Sequence, residues 1–250
     1  MQNSTGNITQ SIVEKLGMAI VSGHYDDGES FPNEAQLCEQ LDVSRSVLRE
    51  AIKMLTARGL LVSRPRKGTH VQPERNWNLL DPSVLRWLLN RKFSIDLLLE
   101  LSEIRYAIEP QAAFYAAQRI TPEAMARIDA ALDRMRAASV GDDDPLLSDI
   151  AFHVAILDAS QNRFYWQLHN FIDTALRFSI RFTNQSKGVH QADIGDHKAV
   201  ADGIRAADPH RASQAMQALL DEAMELMRAA QQTAQTRKEL DKQSLKSMTG

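Results

Sequence analysis

Residues 33–71 read NEAQLCEQLDVSRSVLREAIKMLTARGLLVSRPRKGTHV, and this stretch decides the fold. Asn33 is a helix-capping residue, and Gln36 three positions on can return a bond to the cap's own N–H. A helix is therefore predicted over 33–41. Asp42, Val43 and Ser44 leave room for only a tight turn before a second helix. In it Leu48, Ala51, Ile52 and Leu55 form an apolar stripe, and Arg45, Arg49 and Lys53 occupy the opposite face. Gly59 stops that helix. Leu60-Leu61-Val62 and Thr69-His70-Val71 then read as two short strands around the turn Pro65-Arg66-Lys67-Gly68. Helix, turn, helix and basic hairpin make a winged helix-turn-helix.

Working outward, Ile8, Ile12, Val13, Leu16, Ala19 and Ile20 recur at helical spacing ahead of Ser22-Gly23, so the winged domain is expected over residues 8–72. Residues 73–80 read as a linker. Helical patterns then dominate: Pro82–Asn90, Ile95–Arg119, Pro122–Ser139, Pro145–Ser160, Arg163–Asn184, Asp193–Ala207 and Pro209–Gln235. Asp81-Pro82, Thr121-Pro122 and Asp208-Pro209 pair a capping side chain with a proline suited to the first helical position. The expected fold is mostly α, with the winged domain followed by an all-α antiparallel helical bundle over 81–237 and a disordered polar tail over 238–250.

The chain carries 29 Lys and Arg against 32 Asp and Glu, but the charges are unevenly placed. Between Val43 and Arg75 there are eight basic residues and two acidic ones. A basic block in an acidic chain is the footprint of a polyanion-binding module. Arg45 and Arg49 stand where a recognition helix meets base edges, and an arginine can donate two parallel bonds to guanine O6 and N7. Ser44 and Ser46 can reach phosphates or cap the helix, and Lys53 is better placed for the backbone than for bases. In the wing, Arg64, Arg66, Lys67 and His70 can neutralise phosphates beside Gly68. The expected macromolecular partner is double-stranded operator DNA. One cysteine, Cys38, forms no intrachain disulfide, and no apolar stretch of 18 residues occurs, so a cytoplasmic protein without a membrane span is expected.

The run from Phe31-Pro32-Asn33-Glu34 through Ser44-Arg45-Ser46-Val47-Leu48-Arg49-Glu50-Ala51 to Gly68-Thr69-His70-Val71 closely resembles the GntR family of bacterial repressors. The resemblance implies that Arg45 and Arg49 contact operator DNA and that Gly68 sits at the wing tip. Some members carry an arginine where this chain has Ala35.

Asp149 and His153 are four apart on one helix face, a spacing that fits either a surface pair or two ligands of a divalent ion. The segments around Ser148–His153, Arg105–Pro110 and His197–Val200 resemble the all-helical effector domain of the FadR subgroup, called FCD. That resemblance implies a divalent transition metal, zinc foremost with nickel or manganese as alternatives, held by Asp149, His153 and His197. A fourth histidine of metal-containing members corresponds to Leu219 here. It also implies a homodimer and an effector cavity faced by Arg105, whose guanidinium suits a carboxylate. Arg181, Thr183 and Asn184 could supply hydroxyl-binding groups, and Glu109, one turn from Arg105, could pair with it or orient it. The segments 76–89 and 102–110 are similar to the branch of the family that represses the galactonate operon and responds to sugar acids. The expected protein is a repressor of a sugar-acid catabolic operon, released by a small carboxylate. The alternatives are a regulator for another carboxylate or an acyl group, or a metal-dependent enzyme. No general base stands beside the Asp/His/His set, so no catalytic residue and no enzymatic activity is expected.

Overall fold

The computed structural model describes residues 2–25, 31–64, 68–91 and 94–248, with side chains from 7 to 236 within those ranges. Two compact units divide it, Met1–Phe93 and Ser94–Gly250.

In the first unit, α1 (Gln2–Val21) packs on α3 (Arg45–Ala57), and α2 (Glu34–Leu41) completes the helical triad. The capping box forms as expected: Asn33 Oδ1 accepts from the Gln36 N–H at 3.0 Å, and Gln36 Oε1 accepts from the Asn33 N–H at 3.2 Å. Asp42 ends α2 in the left-handed conformation. Ser44 then caps α3 by accepting from the Val47 N–H. Leu48, Ala51 and Leu55 of α3 are fully buried with Leu16, Leu37 and Leu60, so the apolar stripe of α3 is the core face. Gly59 turns the chain with φ +78°, and a Cβ there would lie 2.3 Å from the Asn76 carbonyl oxygen. Any other residue would both strain the backbone and clash.

The wing strands are β1 (Leu61–Arg64) and β2 (Gly68–Val71), antiparallel with Leu61 opposite Val71 and Arg64 opposite Gly68. Against the sequence pattern, β1 starts one residue later and runs two residues further, while β2 starts one residue earlier, at Gly68. Phe31 donates its N–H to the Thr69 carbonyl at 2.8 Å, which ties the start of α2 to the wing.

Two expectations about the region after the wing are corrected. Residues 73–80 are not a free linker. Trp77 is buried and donates its indole N–H to the Gln72 carbonyl, and the Asn78 N–H reaches the Arg58 carbonyl. The next helix, α4 (Pro82–Arg91), belongs to the first unit, where the sequence reading placed residues from 81 onward in the helical bundle. The cause is Trp87, whose ring packs on α1 at Gly17, where a Cβ would fall 2.4 Å from the ring. Its indole donates to Glu14 at 2.7 Å, and Arg86 pairs with the same carboxylate at 2.6 Å.

The second unit comprises α5 (Ile95–Arg119), α6 (Pro122–Ser139), α7 (Pro145–Ala159), α8 (Arg163–Gln167), α9 (His169–Lys187), α10 (Ile194–Arg205) and α11 (Pro209–Met248). The α5 and α11 helices pack along each other, and small residues of α5 (Ala112, Ala113, Ala116, Ala117) and the Ala212, Met216, Leu220 and Met224 stripe of α11 are buried. The α7 helix is packed by α5, α6 and α9. Burial on several sides is why α7 is apolar nearly all round and why its few polar residues end up inside. The helix expected over 163–184 is two helices, because Leu168 donates its N–H three residues back to Tyr165 and tightens the turn. The expected disordered tail is also corrected: α11 continues to Met248, since neither glycine nor proline interrupts residues 210–248.

Candidate DNA interface and metal centre

On α3 the exposed face carries Arg45, Arg49 and Lys53, with Ser44 and Ser46 at its N-terminal end. The two serine hydroxyls lie 2.9 Å apart. Arg49 donates from Nε to both carboxylate oxygens of Glu34, at 3.0 and 2.9 Å. Lys53 lies 3.5 Å from Glu50. Ala35 is exposed on α2, so the position where some relatives place an arginine is open to solvent and carries no donor. Gly68 opens β2 with φ +80°, a left-handed value suited to glycine, and His70 on the same strand is half-buried. Arg66 and Lys67 lie outside the described residues.

In the second unit, α7 and α10 bring together Asp149, His153 and His197. Each offers one ligand atom, and these atoms lie within 4.8 Å of one another. Asp149 Oδ1 is 3.3 Å from His153 Nε2 and 3.4 Å from His197 Nε2. All three residues are almost wholly buried. The outer ring nitrogens are fixed. His197 Nδ1 donates to the Asp193 carbonyl at 2.8 Å, and His153 Nδ1 lies 2.5 Å from Glu109 Oε2. With Nδ1 keeping its proton and Nε2 deprotonated, each Nε2 can present a lone pair to the cluster, the orientation that metal-ligating histidines adopt. Asp149 Oδ1 and His197 Nε2 are buried with no hydrogen-bond partner. Such orphaned acceptors are costly without a cation between them.

Charge runs on from this cluster through α5. Arg105 Nε donates to Glu109 Oε1 at 2.6 Å, and its Nη1 donates to Ser179 of α9 at 3.2 Å. Burial opposes the charge on Glu109, but Arg105 and His153 outweigh it and bring its carboxyl down to about 2. Burial likewise opposes a charge on His153, yet Glu109 and then Asp149 hold the imidazole up to about 9 in the metal-free site. Asp149, despite burial, is kept below the usual carboxylate range by His197 and His153.

A cavity of about 50 Å³ opens beside these groups, lined by Arg105, Asp149, His153, His197, Thr183, Asn184 and Leu219 among others. It has room for several waters' worth of ligand. Thr183 and Asn184 line it as expected, while Arg181 does not: it is exposed on α9, because at helical spacing the inward face passes through Leu176, Ser179, Ile180 and Thr183. Leu219 places an apolar wall where the resemblance implied a fourth ligand. Five polar cavity residues were not foreseen: Ser179, Lys187, Asp193, Asp196 and Glu222. Asp193 had a readable signal, since it caps α10 four residues before His197. Lys187 and Glu222 pair at 2.6 Å from separate helices and had none.

Residues 8–71 match the family described as bacterial regulatory proteins, gntR family, and residues 100–222 match the FCD domain. The chain is similar to the galactonate operon transcriptional repressor of Escherichia coli (strain K12), with 35% identity over 84% of this chain and 93% of that protein. The chain belongs to the GntR family. It is a transcriptional regulator with a GntR-type DNA-binding domain and an FCD effector domain, and its relatives are regulators rather than enzymes. A second relative, the HTH-type transcriptional regulator LutR of Bacillus subtilis (strain 168), is 29% identical over 80% of this chain and 92% of that one. Among solved structures, Lar, described as controlling the Listeria monocytogenes agr system, aligns with TM-score 0.61 over 88% of this chain and 96% of its own at 16% identity, a likeness of fold alone. No helix among the described residues is long and apolar enough to cross a membrane.

Proposed function

We propose that this GntR-family regulator is a homodimeric, cytoplasmic repressor of a sugar-acid catabolic operon. Its FCD domain holds a divalent transition metal and a small carboxylate effector. The observation that carries the reading is the pair of buried, unpartnered acceptors, Asp149 Oδ1 and His197 Nε2, facing His153 Nε2. Their separations of 3.3 and 3.4 Å from Asp149 Oδ1 match the edge of a tetrahedron. Tetrahedral ligand bonds of about 2.0–2.1 Å give donor separations of roughly 3.3–3.4 Å, so these two separations are compatible with zinc. A bound ion of this kind supplies Lewis acidity toward carboxylate and hydroxyl oxygens, and Leu219 leaves more of its coordination sphere for them.

Arg105 faces the cavity with N–H groups beyond those held by Glu109 and Ser179, so it can take the effector's carboxylate. Thr183 and Asn184 keep acceptor oxygens for its hydroxyls. The sugar-acid class is supported by the galactonate operon repressor among the relatives. In the DNA-binding domain, Arg45 and Arg49 read base edges, Ser44, Ser46 and Lys53 contact the backbone, and the wing residues Arg66, Lys67, Gly68 and His70 engage the flanking groove. Release of DNA requires the effector to bind the non-DNA-binding arrangement more tightly than the bound one.

Metal analysis of purified protein, followed by zinc titration of the chelator-treated form, tests the site. Stoichiometric zinc that His153→Ala loses supports it, nickel or manganese in its place revises the ion, and no bound metal at micromolar zinc overturns it. A thermal-shift panel of sugar acids on the zinc-loaded protein, repeated on Arg105→Ala, tests the effector class.

A further inference from the structure

Glu34, which pairs with Arg49, has no role assigned above in base reading or helix stability. Glu34 opens α2 and Arg49 lies in the second turn of α3, and their contact runs through Nε alone. Both terminal nitrogens of Arg49 are unpaired among the described residues, and the side chain is 62% exposed. Arg45, one turn earlier on the same face, makes no side-chain bond among the described residues. Two arginines of one recognition helix are thus held differently, one tethered and one untethered.

We infer that Glu34 is a specificity-determining positioning residue, which grips Arg49 by its Nε edge and leaves the terminal guanidinium fork free for a guanine. This rests on the reading of Arg49 as a base contact. An end-on fork of two N–H groups is what guanine O6 and N7 require. Arginine has many rotamers, and a bond that selects one of them in the free protein removes part of the ordering cost of binding. The carboxylate also penalises rotamers that swing Arg49 onto a phosphate, because it would then face the phosphate unneutralised. Two plainer roles compete: a negative charge favouring the N-terminus of α2, and a charge that weakens all DNA binding alike.

The full-length protein is first used to recover a preferred duplex from a random-sequence pool. Affinities are then measured by fluorescence anisotropy, at one fixed salt concentration, for that duplex and for each single base-pair substitution in it. Arg49→Ala and Arg45→Ala identify the base pairs each arginine reads, as those whose substitution ceases to matter. Glu34→Asp keeps the charge at the start of α2 but is one methylene too short to hold Arg49. Glu34→Gln keeps the reach and loses the charge.

We expect Glu34→Asp to lower discrimination about three- to fivefold, the range open to an exposed ion pair, at the Arg49 positions only. Those read by Arg45 stay unchanged, and Glu34→Asp adds nothing in an Arg49→Ala background. A uniform change in affinity for every duplex, largest for Glu34→Gln, overturns the inference while leaving the Arg49 reading intact. If Arg49→Ala itself leaves discrimination unaltered, the base-contact reading fails and this inference with it. Thermal unfolding of each variant establishes that the fold is shared.

Discussion

Arg45 and Arg49 on α3, and Asp149 and His153 on α7, are both charged or chargeable pairs at i, i+4, yet their surroundings have nothing in common. Arg49 is 62% exposed, whereas Asp149 and His153 are each 2% exposed. On α3 the pair sits in water and contributes little until a polyanion arrives. On α7 each group must be matched by a partner inside the protein, and the chain of partners extends through Glu109 to Arg105 and Ser179. Identical spacing therefore supports a surface that spends its charge on an external ligand and an interior that has already committed it. What separates them is the helix each sits on: α3 is amphipathic with one free face, and α7 is enclosed by its neighbours.

The sharpest way to break this contrast is Glu109→Ala. Removing the carboxylate leaves Arg105 and His153 buried beside each other, and a loss of about 3–5 kcal/mol is expected, read by denaturant unfolding of the metal-free protein. A loss below ~1 kcal/mol would place the cluster with the exposed pair.

Next comes pH. In the metal-free protein His153 is raised to about 9 from an ordinary 6.5. A group whose folded value lies above its unfolded value stabilises fully below the unfolded value, so this contribution is present below pH 6.5 and is lost as pH rises through 9. Zinc must displace that proton, so its affinity is expected to rise about tenfold per pH unit up to about pH 9, a trend opposite to that of the metal-free protein's stability. Zinc titrations from pH 6.5 to 8.5 check this, and a flat profile would mean that His153 is not a ligand.

On the exposed side, Arg45→Ala is expected to cost about 1–3 kcal/mol of affinity for the selected duplex while changing unfolding free energy by less than ~0.5 kcal/mol. Anisotropy titration and denaturant unfolding together test it. The smallest effect is expected at the capping box. Asn33→Ala removes one acceptor at the start of α2 and is expected to cost about 1 kcal/mol of stability, visible as a lower midpoint in denaturant.

Much of the fold was legible because its signals are local. The Asn33/Gln36 box, the cap-then-proline starts at Thr121 and Asp208, and the apolar stripe of α3 each depend on residues within two turns of one another. The limits of α5 and α6 agree with the sequence pattern for the same reason. The assignment of α4 was not legible, since it turns on Trp87 meeting Gly17 some 70 residues away in sequence. Arg181 was misplaced because a polar run near a helix end does not reveal which side faces inward. The role of Glu109 stood open between partner and orienter of Arg105; the structure adds His153 to its contacts.

By itself the sequence determined the helix-turn-helix, the basic face, the helical nature of the second unit and the three residues whose donor atoms converge. Short-range periodicity and capping chemistry suffice for the first three; the set of three residues was implied by the family resemblance alone, since His197 lies 44 residues beyond His153 and no local pattern joins them. Tertiary structure alone decided that Asp149, His153 and His197 are almost wholly buried beside a small cavity with two acceptors unpartnered, that Leu219 lines that cavity, and that Glu34 holds Arg49. Each of those facts is a contact or a burial set by distant segments, and desolvation, which gives a buried charge its chemistry, is a property of the packed chain.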